Sequence, residues 1–194
     1  MAPGFLSSME SQRAFRAFLD AMSRPGRVVS AGETLKPPAP MHPSFGAVCL
    51  TLLDFETPIW TDLPTESAAL EWLLFHCGAP SAVAPRDASF VLITQPRALC
   101  PIDRFHPGEE ERPERGATVL VQVEGIGTDC GLGLTGPGIE THAGLHIHGL
   151  PSSFWEERAR MNSRFPLGLD FIFTVNRDLV ALPRTTRVGP EPCT

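Results

Sequence analysis

Residues 89–94, SFVLIT, and residues 118–123, TVLVQV, are β-branched runs of strand length with Pro and Gly in their flanks. Such runs predict interior strands, and here a mixed sheet begins. Between them residues 109–115, EEERPER, alternate charge around Pro113 and read as solvated loop.

Upstream the pattern is helical. Ser7 with Glu10 forms a capping-box pattern, and Phe15, Phe18, Leu19 and Met22 recur on one helical face, predicting a helix over residues 8–23. Arg24-Pro25-Gly26 stops it, because Pro disfavours helical geometry in the preceding residue and Gly permits a left-handed turn. Residues 31–43, AGETLKPPAPMHP, carry four prolines and predict an extended loop. SFGAVCLTLLDF from Ser44 reads as a buried helix, and a second runs from Thr65 through Trp72 and Phe75 to Gly78.

Downstream, residues 132–134 and 145–148 are short candidate strands of uncertain pairing, joined by the turn-rich TGPGIETHAG. Ser153 with Glu156 forms a second capping-box pattern opening a helix toward Arg164. DFIFTVN (170–176) and LVAL (179–182) read as a closing hairpin, and residues 188–194 as a tail. The chain is expected to form one domain over residues 1–194, a layered α/β sandwich with a mixed central sheet. Its strands start too late and alternate too poorly for a pure Rossmann or flavodoxin order.

Composition narrows the function. The 194 residues, 42% hydrophobic and 20% charged, suffice for one core without disulfides or a structural metal. Net charge is −6, and the 15 Arg and single Lys36 are scattered, which disfavours nucleic-acid binding. Five cysteines at wide spacing, Cys49, Cys77, Cys100, Cys130 and Cys193, contain no C-x-x-C pair and read as reduced thiols. No stretch approaches the ~20 apolar residues of a membrane span, and no basic-then-apolar leader opens the sequence, so a cytosolic protein is expected.

Most chemistry-bearing motifs are missing. Neither a P-loop, a dinucleotide fingerprint nor G-x-S-x-G occurs. Schiff-base chemistry would need a lysine, and Lys36 stands in the proline-rich stretch. His146-Ile147-His148 places two imidazoles on one face of a strand, with His142 as a third metal ligand to weigh against an ordinary solvent-facing strand. His76-Cys77 offers a thiol beside an imidazole, but adjacent helical positions point about 100° apart, favouring burial or capping over a nucleophile.

Three segments resist a purely structural reading: LTGPGI (134–139), FPLGLD (165–170) and LPRTTR (182–187). The first offers glycines around a rigid proline, a candidate anion nest with Thr135, Gly136 and Gly138. The second ends on Asp170. The third puts Arg184, Thr185, Thr186 and Arg187 after a strand end, where loops carry function.

These segments, with RPG after FRAFLDAM, Leu52-Leu53-Asp54, the Trp72-Leu73 to His76 helix end and Gly116-Ala117-Thr118, resemble the PhnH family over residues 12–187 and occur in its order. The resemblance implies a subunit of the bacterial carbon-phosphorus lyase core complex with PhnG, PhnI and PhnJ, and with PhnL and PhnK through the complex. PhnG, PhnH, PhnI and PhnL are associated with transfer of an alkylphosphonate to the ribose C1 of ATP, releasing adenine. It further implies a fold similar to pyridoxal-phosphate (PLP)-dependent transferases without PLP binding, no cofactor, possible homodimers, and no established catalytic residue. The eight residues from the three segments are therefore read as partner or phosphate contacts, and Arg184→Ala is expected to spare folding while impairing assembly. The rival readings are a metal-assisted enzyme using His146 and His148 on a phosphorylated small molecule, and a ligand-binding module without turnover.

Overall fold

The computed structural model describes residues 2–141 and 143–190. Three helices come first, interrupted by two short strands: α1 (Ser8–Ser23), β1 (Val29–Ser30), α2 (Pro43–Leu52), β2 (Ile59–Thr61) and α3 (Ala68–Cys77). Then follow β3 (Phe90–Ile93), β4 (Thr118–Gln122), β5 (Gly125–Thr135), β6 (Ala143–His148), α4 (Phe154–Asn162), β7 (Asp170–Val175), β8 (Asp178–Leu182) and β9 (Arg187–Pro190).

A six-stranded sheet in the order β1-β8-β7-β4-β3-β2 forms the middle layer. β2, β3, β4 and β7 run parallel to one another, with Phe90 opposite Thr118 and Thr118 opposite Asp170. β8 turns back against β7, and β1 pairs antiparallel with β8, which makes the sheet mixed. The expected hairpin is thus present, turning at Asn176, whose φ of 51° an asparagine side chain tolerates.

Strand alternation divides the interior into two cores. Leu92, Leu120, Ile172, Leu179 and Ala181 face α1, α2 and α3. Val91, Ile93, Val119, Val121, Phe171, Phe173, Val180 and Leu182 face the opposite way, toward Leu134, Leu145, Ile147, Phe154 and Met161. A sheet apolar on both faces must be covered on both faces, since each buried Val, Leu, Ile or Phe is worth about 1.5–3 kcal/mol. The second cover is a three-stranded antiparallel sheet, β6-β5-β9, together with α4. Phe154 of α4 stands edge-on to Phe171 at 5.1 Å and 85°.

The helices follow their local signals with exceptions. Ser7 Oγ accepts from the Glu10 amide, but the Glu10 carboxylate reaches one residue further back, to the Leu6 amide at 2.9 Å. Phe18 and Met22 pack inward beside buried Ala14 and Ala21, whereas Phe15 and Leu19 remain 44% and 47% exposed. α3 is capped by Ser67 and ends on Gly78 in the left-handed conformation. The second expected capping box does not form: Ser153 is already helical at φ −75°, ψ −14°, and makes no side-chain cap. Glu157 instead accepts from the Ile102 amide.

The proline-rich segment is fastened at its end. Gln122, the last residue of β4, accepts from the His42 amide at 2.7 Å and donates to the Pro40 carbonyl at 2.9 Å. Residues 187–190, placed partly in the expected tail, form β9 against β5 instead, while residues 191–194 lie outside the described residues. Among the described residues no helix is long and apolar enough to cross a membrane.

Gly138 joins the two halves of the molecule. Its φ is 82°, and a β-carbon there would collide with the Ser23 carbonyl oxygen at the end of α1. Gly189, on β9, has no atom within 4 Å of such a carbon. Gly138→Ala is expected to cost about 2–3 kcal/mol in chemical denaturation, with Gly189→Ala near neutral.

Candidate functional site

Three segments well separated in sequence meet at one place. Thr135, Gly136 and Pro137 from the end of β5, Asn162 and Phe165 from the end of α4, and Arg184, Thr185 and Arg187 around the β8–β9 turn line an open cleft of about 490 Å³. All three of LTGPGI, FPLGLD and LPRTTR therefore contribute to it.

Arg184 organises the cleft floor. Its Nη2 donates to Asp170 Oδ2 at 2.6 Å and its Nε to the same oxygen at 3.1 Å, while its backbone N–H donates to Asp170 Oδ1 at 2.8 Å. The rest of the guanidinium donates to the Pro113 and Gly116 carbonyls. Arg184 and Asp170 side chains are only 13% and 18% exposed, so the pair is well shielded from screening. Gly116 is needed for the fit: a β-carbon there would lie 2.7 Å from Arg184 Nη1 and 2.5 Å from the Gly168 carbonyl oxygen. Asp170 begins β7, and Gly116 stands just before β4.

This geometry gives Arg184 a structural role beside the contact expected of it. Each of its three side-chain nitrogens donates within the protein, so it acts as a clamp, and its removal strands the Asp170 carboxylate.

A second arginine supports the turn from below. Arg158 on α4 is buried and donates through Nη2 to the Pro183 and Thr186 carbonyls at 3.0 and 3.1 Å. Asn162, one turn later, donates Nδ2 to the Thr186 carbonyl at 2.9 Å. Burial pushes the Arg158 guanidinium down to about 10, with the Asp170 charge acting against that shift. Its Nε, the Asn162 Oδ1 and the Thr186 Oγ1 are buried without a hydrogen-bond partner in the structure. Neither Arg158 nor Asn162 stands out in the sequence; the only signal is their i, i+4 spacing in an otherwise ordinary polar helix.

The other sequence candidates divide by position. Thr135, Thr185 and Arg187 are exposed at the cleft, whereas Thr186 is fully buried in the turn. Gly138 packs on Ser23 and lies outside the cleft lining. His146 and His148 do share one face of β6, exposed, with ring centroids 4.1 Å apart. Among the described residues no third His, Cys, Asp or Glu joins them in a group that could hold a metal, and His142 lies outside the described residues. His76 faces the Ala2 carbonyl at 3.1 Å, and the Cys77 thiol donates to the Cys49 carbonyl at 3.7 Å, so the two side chains have separate structural partners. Burial pushes the Cys77 thiol up to about 12.

Comparison with known proteins gives a family for this arrangement. The model of the bacterial phosphonate metabolism protein family, PhnH, matches residues 3–189. The chain belongs to the PhnH family. Among PhnH relatives, the alpha-D-ribose 1-methylphosphonate 5-triphosphate synthase subunit PhnH of Rhizobium meliloti (strain 1021) is 34% identical over 183 residues, covering 94% of this chain and 92% of the relative. HtxG of Stutzerimonas stutzeri, named as a C-P lyase subunit protein, is 34% identical over 178 residues, covering 92% and 85% respectively.

Two outcomes follow from the PhnH geometry. Arg184→Ala should lower stability by about 3 kcal/mol, because it leaves a shielded carboxylate unpaired; urea denaturation measures it. In the folded protein near pH 8, alkylation of Cys77 followed by peptide mapping should run about a thousandfold slower than in the unfolded chain, as the thiolate fraction requires.

Proposed function

We propose that this chain is an accessory, non-catalytic subunit of the carbon-phosphorus lyase system. It acts with PhnG, PhnI and PhnL in transferring an alkylphosphonate to the ribose C1 of ATP with release of adenine, and joins PhnJ and PhnK in the assembly. The observation that carries this reading is the convergence of LTGPGI, FPLGLD and LPRTTR on one cleft around the Arg184–Asp170 pair. The name of the Rhizobium relative, a subunit of a synthase, points the same way. Activity is then a property of the complex and takes place in the cytoplasm.

The chemistry present supports an accessory role. Cys77, the thiol beside an imidazole in sequence, is held neutral by burial. Kinship with the PLP-transferase fold, with cofactor binding lost, belongs to the same reading: Lys36 is exposed on the loop preceding α2, away from any strand end. Homodimer formation through a surface that otherwise meets a partner completes it.

Co-expression of the tagged chain with PhnG, PhnI and PhnJ, followed by pull-down and sizing, tests the proposal. Stable co-purification at fixed stoichiometry is expected. A well-expressed chain that elutes alone would reject the subunit reading.

A further inference from the structure

The cleft lining is chemically one-sided. A chain of net charge −6 contributes two arginines and no carboxylate to that surface. Arg184 is neutralised by Asp170, but Arg187 is exposed and makes no ion pair among the described residues. Close behind the turn, Arg158 is a buried cation whose Nη2 meets only carbonyls and whose Nε has no partner. Arg187 and Arg158 thus leave positive charge in excess where the wall is also lined with hydroxyls and an amide: Thr135, Thr185 and Asn162.

Such a wall suits an oxyanion with several acceptors. Arg presents a planar fork that phosphate oxygens can accept from in pairs, and threonine hydroxyls supply further neutral donors. The Asn162 amide group is already fixed by the Thr186 carbonyl and Arg158 holds the same turn, so Thr185 and Arg187 are carried on a preorganised loop. At about 490 Å³ the cleft has room for more than one phosphoryl group.

We infer that this cleft binds a polyphosphate chain, with Arg187 as the principal ligand and Thr135 and Thr185 as flanking donors. The inference rests on the subunit reading for its biological source, a triphosphate-bearing nucleotide or ribose, but its chemistry is set by the cleft alone. Phe165, 63% exposed at the rim, offers an apolar edge beside the anion.

Calorimetry on the full-length chain with inorganic tripolyphosphate and with orthophosphate tests it. Saturable one-site binding of tripolyphosphate, tighter than orthophosphate, is expected. Arg187→Ala should weaken it by about tenfold to a hundredfold, the loss of a charge-assisted contact. Arg160→Ala removes an equal charge from a neighbouring hollow and should leave the affinity unchanged. Absence of saturable binding by the wild-type chain, or equal weakening in both variants, would overturn the inference. If wild type co-purifies with its partners yet binds no tripolyphosphate, the cleft proposal fails and the subunit reading stands. If it binds tripolyphosphate but never co-purifies, the reverse holds. Loss of co-purification in Arg187→Ala without tripolyphosphate binding by wild type would make the cleft a docking surface for an acidic partner segment, and the inference would again be wrong.

Discussion

One ion pair ties together the starts of two central strands and the end of a third. Asp170 opens β7, Arg184 follows β8, and the guanidinium reaches the carbonyls of Pro113 and Gly116 just before β4. It gives the segment entering β4 and the turn leaving β8 a shared side-chain anchor. The pair also accounts for two glycines. Gly116 is small because the guanidinium and the Gly168 carbonyl occupy the space a side chain would need, and Gly168 backs onto the Arg184 side chain. Family segments that look unrelated in sequence are thus parts of one clamp.

The clamp works because the sheet it spans is rigid. Interior strands with consecutive apolar residues at their centres send alternate side chains to two cores, and both cores are closed, one by helices and one by a glycine-bearing antiparallel sheet with α4. A register slip of one residue would exchange the two sets, placing Phe171 and Phe173 against the helices and Ile172 against α4. The clamp opposes that slip, since it fixes Asp170 relative to Gly116 at the same end of the parallel strands.

The strands that decide this architecture are legible because their signal is local. SFVLIT, TVLVQV and DFIFTVN are β-branched or aromatic runs, and all three lie where expected, as does the stop of α3 at Gly78. What failed to show was short or glycine-rich. β1 and β2 have two and three residues, too few for any period, and β5 carries Gly125, Gly127, Gly131 and Gly133, which weaken its strand character. Ser153 and Glu156 satisfied a capping pattern, but tertiary demand redirected the chemistry to Glu157 and the Ile102 amide. At the site, the segments were visible as oddities while their meeting was not, because the strand pairing that makes residues 116, 170 and 184 neighbours is non-local and leaves no local signal in the sequence. Arg158 looked like any charge on a polar helix, and only burial distinguishes it.

The position of the cleft bears on what kind of protein this is. In open α/β sheets ligands gather at the carboxyl ends of parallel strands, where loops diverge. Here that edge is occupied by the protein itself. Gln122 at the end of β4 is tied to His42 and Pro40 of the proline-rich segment, and the Asp62 carboxylate after β2 accepts from the Thr94 and Gln95 amides after β3. The cleft instead lies at the opposite end, by the starts of β4 and β7, where it is open to solvent and to other chains. A cleft of this kind presents its arginines and hydroxyls on a braced turn without enclosing them or excluding water. Under the proposed subunit reading, a partner chain seated against this open side supplies the remaining walls.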